Sequence, residues 1–177
     1  MIIQMIRFSV FVLAGTLLTA CQTGGLKPGS IKSNYSPAGW VEISRGGNTL
    51  HACPIEKCKT PQAVLVGPIA VGGDVETAIR KDILSTGLLR EVDRSISRAT
   101  DGQLVVTSRR KVVTKTYSGF EATLKITADN GKAIYVATRS IVQNDRGMQI
   151  SSIATSEATA RANLNSYLAR TTITRVQ

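Results

Sequence analysis

The sequence holds a single histidine, His51, in 177 residues, and that scarcity removes much chemistry. A serine-hydrolase relay would have to run through His51, and no serine sits in a Gly-x-Ser-x-Gly elbow. Acids are sparse, 12 against 22 bases, and no pair is spaced for general acid–base work. His51, Cys53 and Cys58 stand close together, yet a structural zinc takes four ligands and no second Cys/His cluster exists to complete the set. Haem attachment needs Cys-x-x-Cys-His, which is absent. Four residues separate Cys53 from Cys58, where a thioredoxin-type pair has two. Gly72-Gly73 lacks the rest of a phosphate loop and reads as a turn. No repeat of solenoid period appears. These absences point to a protein that is not an enzyme, with no cofactor and no metal. The alternative reading is a periplasmic thiol-redox or other enzyme built on the Cys53/Cys58 loop.

The N-terminus is better defined. Arg7 supplies a positive charge, Phe8 to Leu18 forms an apolar run of eleven residues, and Thr19-Ala20 are small. These are the three parts of a secretory signal. The run is too short for a membrane span, which takes about 20 apolar residues. Met5-Ile6-Arg7 would also serve as a complete charged region, so translation from Met5 is as consistent as from Met1. Leu18-Thr19-Ala20-Cys21 resembles a bacterial lipobox. The resemblance implies cleavage before Cys21, a diacylglycerol thioether on its sulfur and an acyl chain on its amine. Two or three chains hold a protein stably where one binds only marginally. Gln22 follows where an aspartate would favour the inner membrane, so an outer-membrane protein facing the periplasm is expected. Residues 1–20 are then a lipoprotein signal peptide.

Export limits the partners. The leader contains one base and no acid, leaving 21 bases against 12 acids in the mature chain. A basic exported protein suits an anionic envelope component or an acidic protein surface, with no role for nucleic acid. With Cys21 lipidated, Cys53 and Cys58 form an even pair in an oxidising compartment and are expected to be bonded to each other.

Residues 21–37 hold several glycines, serines and two prolines without apolar period, and are expected to be a lipidated flexible tether. Residues 38–177 are long enough for one domain. Trp40 to Ser44 reads as a strand, Gly46-Gly47-Asn48 as a turn and Thr49 to Ala52 as its return. Ala63 to Val66 and Ile69 to Val71 are apolar runs split by Gly67-Pro68, and their periodicity fits a buried strand and a packed loop equally. Asp74 caps a helical region in which Val75, Ile79 and Ile83, then Leu88, Val92 and Ile96, recur four apart. Gly87 predicts a kink or two consecutive helices. A meander follows, over 103–116, 119–128, 132–143 and 148–154. In its second strand Phe120, Ala122, Leu124 and Ile126 alternate with Glu121, Thr123, Lys125 and Thr127, the pattern of one buried and one wet face. Thr155 or Ser156 caps a last helix to about Ala169.

Gly39-Trp40 opening a strand, Gly119-Phe120-Glu121-Ala122, Ile134-Tyr135-Val136 and the helix after Ser156 resemble the PsbP-like sandwich over residues 38–170. The resemblance implies an α+β fold, an antiparallel β-meander covered by helices. It also implies an accessory or binding role, since fold analogy alone carries no reaction. The Cys53–Cys58 loop has no counterpart in that pattern. On the predicted helix Arg90, Arg94 and Arg98 lie about 200° from the Leu88/Val92/Ile96 stripe, so the apolar stripe is expected inward and the arginines outward. With Arg109, Arg110 and Lys111 on the next strand they form the candidate basic docking surface.

Overall fold

A computed structural model describes residues 24–176. Cys21 and the leader over 1–20 lie outside the described residues. The chain forms β1 (Ile31–Ser33), β2 (Val41–Arg45), β3 (Asn48–Cys53), α1 (Ile55–Cys58), β4 (Gln62–Ile69), α2 (Val75–Arg80) and α3 (Thr86–Ala99). It continues with β5 (Leu104–Val113), β6 (Ser118–Thr127), β7 (Ala133–Gln143), β8 (Arg146–Ala154), α4 (Glu157–Ala169) and β9 (Thr171–Ile173).

Seven strands make one antiparallel sheet in the order β2-β3-β4-β8-β7-β6-β5, and β1 pairs with β9 apart from it. This is the α+β architecture expected, with the meander β5 to β8 as its larger half. Local chemistry explains the hairpins. Arg45 pairs with Asn48, leaving Gly46-Gly47 as a two-residue turn. Both glycines have positive φ, 58° and 79°, the conformation that matches the twist of the flanking strands.

Cross-strand partners share a face, so the register sorts side chains into two layers. Val64, Ile150, Ala137 and Ile141 point to one side, where α4 covers them with Ala160, Leu164 and Tyr167. Leu164 and Tyr167 are almost fully buried, and a buried side chain of that size contributes about 2 kcal/mol through apolar area. On the opposite face α2 and the start of α3 cover Phe120 and Val142 with Ile79, Val75 and Leu89. The expectation of one dry and one wet face on β6 is therefore corrected. Thr123 is buried beneath the α4 side, and Glu121 there bonds Arg139 and Arg110. A sheet sandwiched between helices buries both faces.

Two further expectations change. The tether does not extend through Gly24–Pro37: Leu26, Ser30 and Tyr35 are buried, and Ile31–Ser33 pairs with Thr171–Ile173. Two apolar anchors and a strand partner hold a stretch whose composition reads as coil. Gly67-Pro68 does not divide a strand. The β3 ladder stops at Val66 while the β8 ladder runs on to Ile69, so Pro68 lies where β4 has one neighbour and a missing N–H is tolerated. The helical region is two consecutive helices, as the sequence allowed, with the break at Lys81–Ser85 just ahead of Gly87, which lies inside the first turn of α3. Asp74 caps α2 through Thr77 N at 3.0 Å, and Ser85 caps α3 through Leu88 N at 3.1 Å.

Candidate functional site

The placement of α3 decides the surface. Its inward row is Leu89, Asp93 and Ser97, all half-buried. Arg109, projecting from β5, makes a two-pronged bond to Asp93: Nε to Oδ2 at 2.8 Å and Nη2 to Oδ1 at 2.6 Å. The carboxylate and guanidinium are 11% and 18% exposed, so a charge-assisted pair replaces the apolar seam expected here. Lys111 ties the preceding loop, with Nζ 2.6 Å from Asp82 Oδ1.

This docking turns the Leu88/Val92/Ile96 stripe outward, contrary to the sequence expectation. Leu88 is 51%, Val92 47% and Ile96 38% exposed. Ile83 is likewise exposed. The physical reason is that the bidentate pair fixes the helix rotation around Asp93, and the apolar stripe lies about 100° from that row.

The two flanks of α3 look in different directions. Arg90, Arg94 and Ser97 converge with Val105–Arg109 on an open cleft of about 430 Å³ along the free edge of β5. The apolar flank therefore overlooks the sheet. By register, Arg109 shares its face with Ala122, Thr138, Ser151, Leu65, Leu50 and Ile43. The adjoining row on that face runs Val106, Leu124, Val136, Ile153, Ala63, Ala52 and Val41. Towards β2 this face stays open, with Val41, Ile43 and Leu65 exposed. Exposed apolar side chains thus stand at both sides of this face, on α3 and on β2 to β4. Contiguous apolar patches on a protein surface mark sites of association.

The six expected basic residues do not form one equivalent surface. Arg109 is taken up by Asp93, Arg110 by Glu121 with Nη2 to Oε2 at 2.8 Å, and Lys111 by Asp82. They belong to the framework. Arg94 pairs with exposed Glu91 at 2.7 Å. Arg90 and Arg98 donate to carbonyls of their own helix, Thr86 O and Arg94 O, and keep guanidinium donors towards solvent.

Cys53 and Cys58 are bonded to each other, with Cα atoms 6.0 Å apart. The bond clips α1 to the end of β3. Next to it His51 is buried among Tyr35 and Tyr167, ring centroids 5.1 and 5.8 Å away. Burial pushes its pKa down, and Glu42, 3.6 Å from Nδ1, partly opposes this. Among the described residues no group of three His, Cys, Asp or Glu is placed to hold a metal.

Two charged clusters escaped the sequence reading. Glu76 accepts from Arg80 Nη2 at 2.8 Å, Arg175 Nη2 at 2.6 Å and the Asn144 N–H at 2.8 Å. Glu121, Arg139 and the Tyr117 hydroxyl form the second, on the α4 side of the sheet. Their partners lie up to 99 residues apart, and no local pattern marks such pairs.

No protein-family model matches this sequence. No curated protein matches it either. Nine solved chains are similar, among them the following two. One is a protein of Bacteroides thetaiotaomicron VPI-5482, with a TM-score of 0.49 and 13% identity, covering 82% of this chain and 46% of its own. This chain thus spans less than half the length of that protein. The other is the cyanobacterial PsbP protein CyanoP of Synechocystis sp. PCC 6803. Its TM-score is 0.44 at 10% identity, covering 85% of this chain and 96% of its own.

Proposed function

We propose that this chain is a lipid-anchored binding protein of the bacterial envelope, held at Cys21 and facing the periplasm, with the outer membrane favoured by Gln22. It acts as an accessory module rather than a catalyst. The observation that carries the reading is the pair of exposed flanks on α3, one apolar over the open sheet face and one arginine-rich along the β5 edge. Together they suit an envelope protein that presents an apolar patch bordered by acids. The apolar contact would supply affinity, and the arginines orientation and approach rate.

The test uses chain purified from its own membranes. Val92→Asp tests the apolar flank, and Arg90→Glu with Arg94→Glu and Arg98→Glu the basic one. Both sets should release the same co-purifying partner while leaving thermal unfolding within a few degrees of wild type, since surface substitutions stay within about 0.5 kcal/mol each. A partner retained by both variants defeats the docking surface. Cys21→Ser should abolish incorporation of a labelled fatty acid; label that persists defeats the anchor.

A further inference from the structure

If Cys21 carries the lipid, as proposed above, the fold also dictates which part of the domain meets the membrane. Gly25 is buried and packs on the end of β4: a Cβ there would lie 3.2 Å from Pro68 Cβ and 3.9 Å from Met148 Cε. From Cys21 to Gly24 is three peptide steps. At about 3.6 Å each they span no more than about 11 Å. The anchor therefore holds the domain within roughly one Debye length of the headgroups at 0.1 M salt.

The sheet register shows what else shares this end. The β2–β3 turn after Arg45, the β5–β6 turn holding Lys115 and the β7–β8 turn before Arg146 all close here. Lys27 and Arg146 join Arg175 and Val176 around a small recess beside Asn144 and Asp145. Lys27, Arg45, Lys115 and Arg146 enter none of the ion pairs among the described residues. Asp74 and Asp145 are the acids that face them, and Glu76 is neutralised by Arg80 and Arg175. At the opposite end Lys57, Lys59, Arg98, Lys125 and Lys132 lie with Glu56, Asp101 and Asp129, so distance rather than charge sets that end apart. Strands of nine to eleven residues put that end about 30 Å further away, beyond the reach of the surface field.

We propose that this basic end of the sheet, around Lys27, Lys115 and Arg146, is a contact face for the anionic phospholipid leaflet that holds the acyl chains of Cys21. The domain then stands with its strands steep to the membrane. Its α3 flank and open sheet face look sideways and remain free for a partner.

Mature lipidated chain, reconstituted in vesicles of phosphatidylethanolamine and phosphatidylglycerol, tests this. A fluorophore is placed at Val176→Cys on the near end or Asp129→Cys on the far end, with a quencher on the headgroups. Quenching should be several-fold stronger at 176 than at 129. It should weaken in phosphatidylcholine vesicles, in about 1 M salt, and when Lys27→Glu, Lys115→Glu and Arg146→Glu are combined. Each basic residue near an anionic surface is worth about fivefold in contact. Equal quenching at both ends, or quenching at 176 indifferent to the three reversals, overturns the contact face alone. A chain without fatty-acid mass at Cys21 overturns the anchor, and the contact face with it.

Discussion

Replacing Glu76 with glutamine should show how far one buried carboxylate organises an end of this fold. Its side chain is 5% exposed and draws Arg80, Arg175 and the Asn144 N–H together. It thereby joins α2, the β7–β8 turn and the C-terminal segment. Charge-assisted hydrogen bonds contribute about 1.5–3 kcal/mol each, and removing one member of a buried pair costs about 3–5 kcal/mol. Both arginines are 34% exposed, so water would solvate them once the carboxylate is gone. The amide retains one acceptor. A loss of about 2 kcal/mol is expected for Glu76→Gln at neutral pH, seen as a fall in the urea midpoint at unchanged m-value. For a domain of this length that equals about 4–8 °C in Tm.

The pH dependence sharpens the test. Burial pushes the Glu76 carboxyl up, but hydrogen bonds from Arg175, the Asn144 N–H and Arg80 outweigh it and hold the group below the ordinary glutamate value. A carboxylate with a depressed folded pKa binds fewer protons folded than unfolded. Its stabilisation is complete above the unfolded pKa and disappears as pH falls through the folded one. The difference between wild type and Glu76→Gln should therefore close in strong acid. A change under about 0.5 kcal/mol at neutral pH, or an equal difference in acid, would refute this account of the cluster.

Two other outcomes follow from the disulfide end. Cys53→Ser with Cys58→Ser should cost about 2 kcal/mol by the entropy of closing six residues, measured by urea unfolding, with early hydrogen exchange confined to α1 and the end of β3. His51 should titrate below its ordinary value by NMR, because burial disfavours the imidazolium. For a histidine with a lowered folded pKa the stabilisation is complete above the unfolded value and is lost as pH falls. His51→Phe should remove that slope, and a midpoint at or above the ordinary value would contradict the buried site.

Much of this molecule is determined locally. The Gly46-Gly47 turn, the caps at Asp74 and Ser156, the meander and α4 follow from propensity and patterning. The bond between Cys53 and Cys58 was legible as an even pair of cysteines in a chain expected to be exported. Tertiary structure decided the rest. Residues 24–37 look like coil because glycine, serine and proline set their composition, yet Leu26 and Tyr35 find pockets only the assembled core supplies. The alternation Val41-Glu42-Ile43 specifies two faces of a strand without saying whether anything covers them. The helical period of α3 is legible too, but not its rotation. An amphipathic helix can present either an apolar stripe or a polar row to a sheet, and the choice rested on Asp93 meeting Arg109 across 16 residues. A half-buried bidentate ion pair needs one relative orientation, whereas apolar contact tolerates many. That geometric demand, absent from any local pattern, is what turned Leu88, Val92 and Ile96 towards solvent.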